Sequence, residues 1–297
     1  MSSRRPGIQT SQHTSWVRLP ASTRGSPRLL LGVLAIGLLQ LGFYFGIVLQ
    51  PWTKQAISRP LYEATGGFLH PELVMNLLWL GLLLAVLRRG SLTPRDAGLR
   101  WAAVRPALWG VGLLWVGAQT VLVAVTVVST GSLPTFEVQP YRSEGLVVLL
   151  GLLAREAVGN SLYEEVLYRG IVLEQVRLHA EAVTRFGQAG TIAVALVVSQ
   201  SAFALVHVPI RLYQGATLTQ TALSVGALFA VGLLFGVVYY RTGNLLVAVG
   251  VHALNNLPLF VFGTPAQWPV WLVTVGLLVW WPRLAPSRST TQVAAAS

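Results

Sequence analysis

The chain contains no cysteine and one lysine, Lys54, and charged residues fill only 10% of its 297 positions. The absence of cysteine excludes disulfides, thiolate nucleophiles and cysteine-based zinc sites, and leaves the redox compartment undetermined. The shortage of charge excludes a soluble globular domain, which carries about 25% charged residues. Also missing are a His-Glu-x-x-His zinc motif, a Gly-x-Ser-x-Gly elbow and a nucleotide-binding loop. No internal repeat is evident, which counts against an inverted-repeat transporter.

What is present is apolar: 54% of residues are hydrophobic and the mean hydropathy is +0.62. The apolar sequence comes in runs of around 20 residues, enough to cross a bilayer as helices. These observations predict an integral membrane protein of the all-α class, a polytopic helix bundle in the lipid bilayer. About eight transmembrane helices are expected, over residues 29–49, 72–87, 105–128, 145–168, 190–208, 220–240, 244–262 and 268–282. Residues 1–27, rich in Ser, Arg, Thr and Pro, read as a disordered tail, and 284–297 as a second one. The domain between them, 28–283, is a single unit. The first apolar run is long and lacks a small-residue cleavage pattern after it, so it reads as a span rather than a secretory signal.

The net charge of +11 does not indicate nucleic acid, because the cations are not gathered on one soluble face. They fall between the apolar runs instead. Arg4, Arg5, Arg18, Arg24 and Arg28 precede the first span, and Arg88, Arg89, Arg95, Arg100 and Arg105 follow the second. Arg169, Arg177 and Arg185 follow the fourth span, Arg241 the sixth, and Arg283 and Arg288 the eighth. The alternate connections hold few: Lys54 and Arg59, then Arg142, then Arg211. The positive-inside rule then places both termini in the cytoplasm. Arginine-rich, lysine-poor usage points to a bacterial plasma membrane.

Three polar islands interrupt the apolar sequence. The fourth span carries Glu164, Glu165 and Arg169, the fifth ends on Phe203 and His207, and the seventh holds His252, Asn255 and Asn256. Ionisable groups inside a membrane segment cost roughly 2.5–3.5 kcal/mol each on insertion scales. Such groups are kept where they are used. At helical spacing Glu165 and Arg169 are i,i+4 and can pair. Glu164 is turned about 100° away and is free to face elsewhere. Upstream, Asn160 and Glu156 extend a polar stripe toward Arg155, a substrate groove or a salt-bridged structural device. Glu, His, His and Asn together suit peptide hydrolysis: a base to activate water, and donors to hold the oxyanion. The same set could hold a divalent metal such as zinc through His207 and His252. Two other readings remain open: a non-catalytic membrane scaffold, and a proton-coupled transporter using Glu and His as a relay.

In order along the chain these islands read Glu-Glu-x-x-Tyr-Arg-Gly (164–170), Phe-x-x-x-His (203–207) and His-x-x-x-Asn (252–256). The segment 232–246 precedes the last of them. Over about residues 145–262 the chain resembles the CPBP intramembrane proteases, which include the CAAX prenyl endopeptidases and bacterial relatives. The resemblance implies an eight-span bundle with a polar cavity reachable from the membrane and the cytoplasmic side. It implies Glu164 as the base that activates water, assisted by His207, with His252 and Asn256 stabilising the oxyanion. It implies that Glu165 and Arg169 hold the helix and shape the pocket. Phe203, Asn160, Glu156 and Asn255 are expected near the substrate. The charged pair Arg155–Glu156 departs from the family pattern. The expected substrate is a membrane-associated peptide or protein.

Overall fold

A computed structural model describes residues 23–139, 145–262 and 266–284. The expected tails over 1–22 and 285–297, and Arg142, lie outside the described residues. Nine helices and one pair of strands make up the described chain. They are α1 Pro27–Val48, α2 51–64, α3 Pro71–Arg89, α4 Trp101–Thr130, α5 Gly145–Val183, α6 Gln188–Tyr213, α7 Leu218–Thr242, α8 Leu245–Asn256 and α9 Trp268–Leu284. Proline opens α1, α2 and α3, where its missing N–H is not needed and its fixed φ suits the first turn.

Six of these helices are long and apolar enough to cross a membrane. They carry the first six expected spans, and α9, with 17 residues, carries the eighth at the lower limit of length. The fourth span is longer than the sequence indicated, running to Val183. Its hydrogen bonding widens into π-type turns at Ala154–Ser161 and Val166–Leu173, on either side of the Glu164–Glu165 turn. Such widened turns recur at functional sites.

Two expectations are corrected. The seventh span, placed over 244–262, is a helix only to Asn256; its 12 residues reach about 18 Å, short of a 30 Å hydrocarbon core. Pro258 is the cause, since it disfavours helix at the residue before it and cannot donate a backbone hydrogen bond. The chain goes on extended as β2 (Phe260–Phe262), which pairs antiparallel with β1 (Phe136–Gln139). Bare backbone is costly in lipid. Here α4 supplies the partners: Trp115 Nε1 and Gln119 Nε2 donate to the Leu259 carbonyl at 2.7 and 3.0 Å, and Gln119 Oε1 accepts from Val261 N at 3.0 Å. Residues 23–27, placed in the N-terminal tail by composition, also carry contacts and the start of α1. Thr23 N donates to Asp96 Oδ1 at 3.0 Å, and Gln175 both accepts from Gly25 N and donates to the Thr23 carbonyl.

The core sits where α5, α6, α7 and α8 meet. Between α6 and α7 the close approach depends on glycine: a Cβ on Gly232 would lie 2.9 Å from Gln200 Oε1 and 3.2 Å from Arg169 Nη2. Small residues at such crossings let backbones approach without a hydrophobic driving force.

Candidate active site

Glu165 and Arg169 are fully buried and paired at 2.9 Å, as their i,i+4 spacing predicts. The guanidinium is held further by the Gly232 carbonyl at 3.3 Å, and by the faces of Phe203 at 4.3 Å and Phe235 at 5.4 Å. Glu165 has a second partner that the spacing did not disclose. Its Oε1 also accepts from His252 Nδ1 at 2.8 Å, bridging α5 to α8. A carboxylate only accepts, so Nδ1 carries the proton and the other ring nitrogen, Nε2, is left unprotonated in the neutral imidazole. That nitrogen faces Glu164 Oε2 at 3.6 Å, longer than a hydrogen bond. Phe235 stacks on the ring at 4.6 Å and fixes its plane.

Glu164 therefore faces away from Arg169, as its helical phase requires, and lines a cavity of about 370 Å³ between α1, α3, α5 and α6. Its side chain keeps 17% of its surface accessible, whereas Glu165 keeps none. His207 lines the same cavity. At the break in α6 its Nδ1 donates to the Phe203 carbonyl at 2.7 Å, which leaves its Nε2 unprotonated and available in the neutral ring. Asn160 and Glu156 lie on the cavity wall, as the polar stripe indicated. Glu156 accepts from Arg155 at 2.8 Å and lies 3.5 Å from Asn256 Nδ2, so the salt bridge reaches Asn256 at the end of α8.

Two expected pocket residues lie elsewhere. Phe203 is buried behind the site, edge-on to the rings of His207 and His252 at 5.0 and 6.0 Å, where it supports them. Asn255 points toward α9: its side chain accepts from Trp271 Nε1 at 2.7 Å and its carbonyl from Gln267 at 3.0 Å. Its contact with the site is through Asn256 Oδ1 at 3.2 Å.

Sequence reasoning missed Gln40, Asn76, Tyr163 and Tyr168 on the cavity wall. Gln40 donates to Asn76 at 2.9 Å, joining α1 to α3. The available signal was a lone amide in each of two otherwise apolar runs. Tyr163 stands beside Glu164, and its buried hydroxyl has no partner among the described residues.

Among the described residues no three His, Cys, Asp or Glu side chains are grouped to hold an ion. His252 is turned between two carboxylates, and His207 is the only histidine among the described residues on the cavity wall. The residues do not fit a three-ligand zinc centre.

Comparison with known proteins adds a family. Residues 146–258 match the family described as type II CAAX prenyl endopeptidase Rce1-like. No curated protein and no solved structure matches the chain. The matched segment contains all three polar islands and the helices that carry them.

Proposed function

We propose that this chain, whose residues 146–258 match the Rce1-like family, is an intramembrane endopeptidase that cuts a membrane-associated peptide or protein. One observation carries the reading. A carboxylate with no cation on it, Glu164, faces a polar cavity with His207 on the wall and a His252 nitrogen 3.6 Å away.

In the reaction Glu164 removes a proton from water, whose oxygen attacks the scissile carbonyl carbon. The carbonyl π electrons move onto oxygen, and the oxyanion is met by an N–H donor from Asn256 and by His252 Nε2 once Glu164 has passed it the proton taken from water. Glu165 stabilises that imidazolium through Nδ1, while Arg169 holds Glu165 in place. Collapse of the tetrahedral intermediate breaks the C–N bond. The leaving amine takes that proton back by way of Glu164, with His207 orienting water or amine through Nε2. The protein is proposed to lie in a bacterial plasma membrane with both termini cytoplasmic.

The test is cleavage of a panel of membrane-tethered reporter peptides by purified protein in liposomes, with and without chelator. Cleavage that survives chelation supports the water mechanism as written. Chelator sensitivity reversed by zinc would replace it with a metal-assisted one, and failure across the whole panel would defeat the endopeptidase reading.

A further inference from the structure

The position of the cavity along the helices fixes which end of the bundle it opens to. Its wall includes Tyr44, four residues before the end of α1, Glu72 in the first turn of α3, and Ile210, three residues before the end of α6. All three belong to one end of the bundle, the end where Phe45 packs on Tyr213 at 5.5 Å. Gly159 of α5 sits against Leu73, the third residue of α3. Glu164, five residues further on, therefore lies only about 10 Å below the start of α3 at 1.5 Å per residue.

The other end is closed. Every residue from Val166 to Leu173 is buried. Gly170 packs on the Ala97 carbonyl, and Gly98 packs on Leu245. This closed end is also the arginine-rich one. Arg88, Arg89, Arg95 and Arg100 lie in or beside the α3–α4 connection, and Arg177 and Arg185 come before α6. At the cavity end the connections hold Lys54, Arg59, Arg142 and Arg211. Lysine and arginine in short connections set orientation in the bilayer, and the richer side is retained in the cytoplasm.

The geometry points to a cavity that opens on the extracytoplasmic side, not on the cytoplasmic side that the family resemblance implies. Resting on the proposed endopeptidase reading, this assigns the substrate class. It is a membrane-anchored peptide whose scissile segment lies outside the cytoplasmic face, within the outer part of the bilayer. A cytosolic protein carrying a lipid at its C-terminus cannot reach Glu164 past the closed end.

The absence of cysteine makes the test direct. Gln214, exposed after α6 at the cavity end, and Gln188, exposed at the start of α6 at the arginine-rich end, are each replaced in the full chain. Gln214→Cys and Gln188→Cys are then exposed to a membrane-impermeant maleimide in right-side-out vesicles, before and after permeabilisation. The expected result is labelling of Gln214→Cys at once and of Gln188→Cys only after permeabilisation. The reverse order, or equal labelling of both, overturns the inference. In the same cells, reporters are tethered with the scissile segment outside or inside. Glu164-dependent cutting of the outside reporter alone supports the assignment, and cutting of the inside one alone overturns it. If wild type cuts neither, the endopeptidase reading fails, and labelling still decides the sidedness.

Discussion

Arg169→Met should be among the most damaging single changes outside the reacting atoms. The substitution keeps the apolar stem but removes the cation facing Glu165, whose side chain is fully buried and whose Oε1 serves both Arg169 at 2.9 Å and His252 at 2.8 Å. Removing one member of a buried pair strands the other charge, at a cost of about 3–5 kcal/mol. The lost contacts to the Gly232 carbonyl and the Phe203 face lie within that range rather than on top of it, because neighbouring contributions do not add. At about 2–4 °C per kcal/mol, the melting temperature in detergent should fall by roughly 6–20 °C. Glu165→Gln should also destabilise, since it leaves Arg169 buried and uncompensated. The double variant Glu165→Gln/Arg169→Met leaves no stranded charge, so it should recover about 0.5–3 kcal/mol relative to the sum of the singles. Circular dichroism melts of the four proteins give the cycle. Strictly additive losses, or an Arg169→Met protein that melts with wild type, would refute the argument that the pair holds the site.

Other expectations follow from packing and local charge. Gly232→Ala places a methyl 2.9 Å from Gln200 Oε1 and 3.2 Å from Arg169 Nη2, an overpacking that should cost about 1–3 kcal/mol in melts and lower cleavage by shifting Arg169. Gln119→Leu orphans the Val261 N–H and weakens the hold on the Leu259 carbonyl, so stability should drop by about 1–3 kcal/mol, with amide exchange rising first over 259–262. Outside the membrane, burial pushes the Asp96 carboxyl up, but hydrogen bonds from Thr93 and Thr23 outweigh it and hold the pKa below its ordinary value. A depressed native pKa stabilises above the unfolded value of about 3.9 and is lost as pH falls through the lower native one. Proteolysis around residues 24–28 should therefore speed up on acidification in wild type, whereas Asp96→Asn should be susceptible at every pH.

The membrane class and the six long spans were legible because they rest on run length and composition, which a bilayer reads directly. The Glu165–Arg169 pair was legible because it lies within one helix, where spacing is geometry. What joins one helix to another was not. The bond from His252 to Glu165 spans 87 positions, and no periodicity encodes it. The early end of α8 was signalled by Pro258, but the apolar run through Leu257, Leu259 and Phe260 outweighed it when read for hydropathy alone. Its stability depends on Trp115 and Gln119, which lie more than 130 positions away. Asn255 and Asn256 stand next to each other, so their separation into a helix-docking residue and a site residue needed the position of Trp271.

The central claim is that Glu164, rather than its buried neighbour, activates the water. The most direct measurement is single-turnover cleavage of one reporter peptide by wild type and by Glu164→Gln, with both shown to melt alike. Glu164→Gln keeps the shape and loses the base, so the account predicts a rate lower by about 10²–10⁴-fold at unchanged substrate affinity. A Glu164→Gln rate equal to wild type would contradict it.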